Sequence, residues 1–177
     1  MAEALFVTRK DIVKYTNVSG GVDTDKFIQY VKIAQKIHIQ NYIGTKLYDK
    51  ISTDIIAGNL AGHYATLVEN HIKPCLVHWA MVEYLPFAAY TVSNKGVYKH
   101  SSENAENVSK TEVDFLIEKE RTTAQYYTDR MIEHFSFYAA ERYAEYYTNN
   151  NDNVYPDKDA NFSGWVFMIK RTYKPKH

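Results

Sequence analysis

Residues 74–87, PCLVHWAMVEYLPF, are apolar around nearly the whole circumference of the helix they would form. A helix without a polar face has no stable place at a surface, so this one must be the buried centre of a helical domain, covered by other elements. Pro74 and Pro86 bracket the run. Proline fits a first helical turn but breaks or bends an interior, so each either begins a fresh helix or kinks a longer one. The wider stretch from Cys75 to Val92 is interrupted by His78, Glu83 and Pro86, which makes it too short and too polar to span a bilayer.

The covering elements also read as helices. Thr8 and Asp11 form an approximate capping box ahead of a short helix, and Asp23 and Thr24 open a second one. In the second, Phe27, Tyr30, Val31, Ala34, Ile37, His38 and Asn41 recur at spacings of three and four, which predicts one common face, with a left-handed stop at Gly44. Leu47, Tyr48, Ile51, Ile55 and Ile56 mark a further amphipathic helix that stops at Gly58, and another pattern runs from His63 to Pro74. In the polar stretch that follows, Tyr90 to Val92 and Val97 to His100 can pair as a hairpin around Asn94-Lys95-Gly96.

Ser109 and Glu112 then supply a full capping box for the longest element. Val113, Ile117, Glu120, Ala124, Tyr127, Met131, His134 and Tyr138 alternate spacings of four and three along it, a coiled-coil-like seam. Helix persisting to Thr148 would span upwards of about 50 Å, against a radius of gyration of about 16 Å for a globule of this length. Part of it should therefore meet a neighbour. The aromatic-rich second half nominates Phe135, Tyr138, Tyr143, Tyr146 and Tyr147 as subunit-interface residues. The expected fold is mainly α: a helical bundle with one very long helix and a short β-hairpin or loop insertion at 90–109 within residues 1–153, then an extended C-terminal arm over 154–177.

Lys plus Arg and Asp plus Glu each total 21, so the chain has no global attraction for nucleic acid or anionic lipid, and binding to either would be local. Its 16 tyrosines suit either the boundary of a core or a protein–protein surface. The single cysteine, Cys75, excludes an internal disulfide and fits folding in a reducing cytoplasm, and no signal peptide is expected. His71, Cys75 and His78 share a helix face at metal-ligand spacing, but a fourth ligand is missing and buried side chains explain them as well. Glu118, Glu120, Glu133, Glu141 and Glu145 alternate with basic residues as on a solvated face, while Glu120 and His134 fall on the apolar seam, where polar groups set register. No phosphate-binding glycine motif and no nucleophile elbow occurs. Small basic clusters lie at Lys95, Lys99 and His100 and at Lys170, Arg171, Lys174 and Lys176.

Four stretches, LFVTRKDIVKYT, VDTDKFIQYVKIAQKIHIQNYIGTKLYDKI, IKPCLVHWAMVEYLPFAAYTVSNKGVYKHSSEN and YPDKDANFSGW, resemble the head-to-tail connectors of tailed phages, also called adaptor or head completion proteins. The likeness extends in particular to the neck ring proteins of crAss-like phages. It implies a helical subunit of a ring under the portal, twelvefold like the portal, which joins head to tail and extends the channel for double-stranded DNA. It also implies no enzymatic activity, no cofactor and no membrane, with assembly in the bacterial host cytoplasm and a final place in the virion neck. Carried onto this chain, Trp165, Phe167, Ile169 and Arg171 would dock on the portal or another neck or tail protein, and Lys95, Lys99 and His100 would face the channel. The wider family is usually shorter, so residues 154–177 have no counterpart there. Two alternatives stand beside this one: a stopper or tail terminator, and a small helical metal-binding enzyme using His71, Cys75 and His78.

Overall fold

The computed structural model describes residues 4–16, 24–88, 90–93, 96–99, 109–148 and 153–158. Its centre is α6, Lys73–Tyr84, in which every residue from Pro74 to Val82 is buried. Helices α1, Arg9–Tyr15, α2, Thr24–Ala34, and α7, Lys110–Arg142, all pack on it. Burial on all sides is the only way a helix of this composition escapes water, as its sequence requires. The bundle is mainly α, with one helix far longer than the rest. Its insertion is a hairpin of β1, Tyr90–Ser93, and β2, Gly96–Lys99, antiparallel with Tyr90 opposite Lys99 and Ser93 opposite Gly96.

Local signals place most boundaries. Thr8 and Asp11 close a reciprocal capping box on α1, as Ser109 and Glu112 do on α7. Gly44, at φ 77°, separates α3, Gln40–Ile43, from α4, Thr45–Ala57, and Gly58, at φ 69°, ends α4 with its N–H on the Asp54 and Ile55 carbonyls. α5, Gly62–Leu67, runs into α6 through a π-helical turn at Val68–Ile72, in which the Lys73 N–H reaches back to the Val68 carbonyl. That widened turn ends two residues before Pro74, in the turn with which the proline ring would otherwise clash, and takes up the misfit. Pro74 thus lies within a continued helix, and Pro86 sits in a closing 3-10 turn, Leu85–Phe87.

An earlier π turn, Gln35–Ile39, the first among the described residues, joins α2 to α3 and corrects the expected face of that helix. Phe27, Val31 and Ala34 are buried as anticipated, but Ile37 is exposed, as is Asn41, and Gln35, Ile39, Tyr42 and Ile43 are buried instead. One extra residue in a turn rotates everything after it by about 100°, which carries Ile37 and Asn41 off the inner face. The rotation places Gln35 at the centre of a polar junction. Its Oε1 accepts the Phe6 N–H at 3.0 Å, and its Nε2 donates to the Ala4 carbonyl and the Tyr48 hydroxyl, each at 2.8 Å. One amide thereby ties the N-terminal segment and α4 to the π turn.

The long helix differs from its expected seam in two ways. Its buried line is Ala124, Thr128, Met131, Phe135 and Ala139, one residue round from the Tyr127, His134 and Tyr138 positions. Small residues at 124, 128 and 139 let α6 approach closely, and the bulky rings move to the flanks. The helix also ends at Arg142 rather than near Thr148, because Tyr143 leaves helical geometry and turns inward ahead of a 3-10 turn, Ala144–Tyr146. Replacing Gln35 by Leu should leave the Phe6 amide, the Ala4 carbonyl and the Tyr48 hydroxyl unpartnered, costing about 2–4 kcal/mol of stability in urea unfolding.

Candidate assembly surface

The end of α7 is held by aromatic packing. Phe135 stacks on Tyr146 with centroids 4.5 Å apart and meets Tyr143 edge-on at 5.6 Å, and Tyr143 in turn meets Tyr64 edge-on at 5.6 Å. The Tyr143 hydroxyl lies 3.1 Å from His134 Nε2 and donates to the His63 carbonyl at 3.2 Å. The Tyr64 hydroxyl donates to Glu145 at 2.8 Å, and burial together with that carboxylate pushes the phenol up to about 12.

This geometry corrects part of the interface expectation. Phe135, Tyr143 and Tyr146 are buried in the core of their own chain, so they close the end of the bundle and offer nothing to a second subunit. Phe135 follows from the shifted seam, and the two tyrosines from the early end of α7. Tyr138 and Tyr147 remain exposed, with the Arg142 guanidinium 3.9 Å above the Tyr138 ring and Lys158 Nζ 5.6 Å from the Tyr147 ring. Tyr155 and Val154 add exposed apolar area on the segment that follows. That segment is strapped to the body: Val154 N–H donates to Thr45 Oγ1, Thr45 N–H donates to the Val154 carbonyl, and Asp157 N–H donates to the Asn41 carbonyl at 2.7 Å. The arm expected from residue 154 therefore begins docked across the joint between α3 and α4. Its proposed docking residues Trp165, Phe167, Ile169 and Arg171 lie outside the described residues, as do Lys95 and His100; Lys99 ends β2.

The candidate metal ligands are each engaged elsewhere. His71 lies against His134 with ring centroids 4.2 Å apart. Cys75 is fully buried 3.3 Å from Thr128 Oγ1, and burial pushes its thiol up to about 12. His78 Nδ1 sits 2.7 Å from Glu120 Oε2, its ring stacked on Tyr127. Among the described residues no three His, Cys, Asp or Glu side chains are grouped to hold a metal. Other polar pairs also bridge elements. His38 stacks on Trp79 and meets Glu83 at 3.0 Å, and Asp11 takes Lys73 at 3.1 Å. Burial alone would raise the Asp11 carboxyl, but the Thr8 N–H and hydroxyl and the Lys73 ammonium hold it below the usual range.

Sequence reasoning did not single out Gln35 or Thr128. Thr128 Oγ1 accepts the Trp79 indole N–H at 3.0 Å and donates to the Ala124 carbonyl at 2.9 Å, so it meets the polar needs of α6 from inside α7. Its signal was a lone hydroxyl at helical spacing among Ala124, Met131 and Phe135.

Residues 39–156 match the family of unknown function DUF6712. No curated protein and no solved structure matches the chain. Among the described residues no helix is long and apolar enough to cross a membrane.

Burial, His71 and Arg142 lower the His134 pKa from 6.5 to about 4, and burial and Arg130 lower that of His71. The fold therefore favours the neutral rings. Their contribution is intact above pH 6.5 and is lost as pH falls from there towards 4. Melting temperature should drop over that window, and less steeply in His134→Gln; a flat profile in the wild type would contradict the assignment. The match covers more than half of the 177 residues, and the chain belongs to the DUF6712 family.

Proposed function

We propose that this protein is a structural subunit of the neck of a tailed phage, forming a ring below the portal that joins head to tail and extends the DNA channel. The observation that carries the reading is the resemblance of its first helices, central helix and later stretches to head-to-tail connectors. The fold is compatible with it. Two histidines pair with partly buried acids across helix boundaries, His78 with Glu120 and His38 with Glu83, which is a use of polar groups for register. At the C-terminal end of the bundle, Tyr138, Tyr147 and Tyr155 present aromatic area of the kind enriched at protein interfaces.

In this role the partners are further copies of the chain, in a dodecamer if the portal's symmetry is matched, together with the portal and other neck or tail proteins. Double-stranded DNA passes without sequence recognition. Zero net charge suits such passage, since each phosphate contact would hold the DNA in place. Assembly takes place in the bacterial host cytoplasm and the finished ring resides in the virion.

Electron microscopy of the purified protein, alone and with the portal, tests the proposal. Rings with an open centre are expected, and Tyr138→Asp or Tyr147→Asp should weaken ring formation by roughly tenfold or more. A chain that stays monomeric at high concentration and beside the portal would overturn the reading. Cross-linking to tail proteins and not to the portal would move it to a stopper or terminator.

A further inference from the structure

On the side of α7 turned away from α6, Phe115, Tyr126 and Phe137 are 67%, 60% and 73% exposed. They stand eleven residues apart. At about 100° per residue, that spacing returns to nearly the same azimuth after three turns, with a drift of about 20° each time. The three rings thus form one stripe opposite the buried line of Ala124, Thr128, Met131 and Phe135. Between them on the same stripe lie exposed Lys119, Thr122, Arg130 and Glu133.

The stripe is symmetric about Tyr126. Phe115 and Phe137 lie equally far from it, as do Lys119 and Glu133, and Thr122 and Arg130. Residue types match at the two ends, and charge reverses between Lys119 and Glu133.

We propose that this stripe binds the same stripe of a second copy of the chain, antiparallel, with a two-fold axis through Tyr126. Tyr126 then meets its own counterpart, Phe115 meets Phe137 of the partner subunit, and Lys119 meets Glu133 of the partner subunit. Because the contact is isologous, each unlike pair forms twice. A parallel, in-register arrangement would oppose Lys119 to Lys119 and Glu133 to Glu133, and like charges select against it. Within one subunit Glu133 already receives Arg130 Nη1 at 2.6 Å, so the incoming lysine completes a three-charge network. The rings are spread over about 33 Å of helix. Aromatic side chains bury roughly 150–250 Å² each when covered, which puts the seam at the small end of specific interfaces and makes the pair reversible.

The pairing is independent of the neck reading. A two-fold contact closes on itself, whereas a ring contact runs head to tail, and Tyr138 projects from a different side of α7.

Three measurements on the full chain test the pairing. Sedimentation should show a concentration-dependent dimer. The Tyr126→Cys variant, treated with a thiol oxidant, should give a disulfide-linked dimer, since the native thiol of Cys75 is fully buried. Thr122→Cys, which faces Arg130 of the partner subunit instead of its own counterpart, should link poorly, and Tyr138→Asp should leave the linking of Tyr126→Cys unchanged. Lys119→Glu or Glu133→Lys alone should weaken dimerisation by roughly fivefold to tenfold, and the double exchange should restore it. Circular dichroism checks that these exposed substitutions leave the helix intact. A wild type that sediments as a monomer throughout would overturn the proposal. Equal linking at 122 and 126, or association indifferent to both single charge changes, would do so as well.

Discussion

An apolar circumference on α6 dictates the remaining architecture. Its residues from Pro74 to Val82 have to leave water on every side at once, which no single neighbour can achieve, so α1, α2 and α7 are arranged as covers. The polar atoms that α6 does carry then need partners inside the cover. Trp79 and Cys75 both turn to one hydroxyl, that of Thr128. A rotation of α7 by one residue would strand the indole N–H in an apolar interior, a cost of about 1–3 kcal/mol. The azimuth of the longest helix is thereby set by a side chain with only one polar atom.

The same logic recurs at the rim of the core. Asp11 with Lys73 joins α1 to α6, His38 with Glu83 joins the first π turn to α6, and His78 with Glu120 joins α6 to α7. Each pair includes a residue of the central helix, so each cover is keyed to α6 separately. Apolar packing makes the covers adhere, and the polar pairs decide where each one sits. His134 with Tyr143 does the same for the end of the bundle, tying the end of α7 to the carbonyl of His63 in the first turn of α5.

Features encoded by neighbouring residues were legible in the sequence. The capping boxes at Thr8 and Ser109, the glycine stops at 44 and 58, the short hairpin and the central helix each depend on a few adjacent positions. What escaped depends on tertiary compromise. A π turn adds a residue without leaving a compositional mark, so the face through Ile37 and Asn41 looked continuous although the chain steps over it. Which aromatics near the end of α7 face inward was equally hidden, because it turns on the one-residue shift of the buried line, which takes in Phe135, and on the early end of α7, which turns Tyr143 and Tyr146 inward. The exposed stripe at 115, 126 and 137 repeats every eleven residues and escapes a search for spacings of three and four.

The strap at 153–158 has a mechanical consequence. Its amides run along Thr45 and Asn41 against the chain direction, so tension arriving from beyond Lys158 loads the Asp157 bond to Asn41 first and the Thr45 pair afterwards. Release is therefore stepwise, as in unzipping. While the strap holds, the load is taken at the joint between α3 and α4, and it reaches the end of α7 only after those bonds have opened.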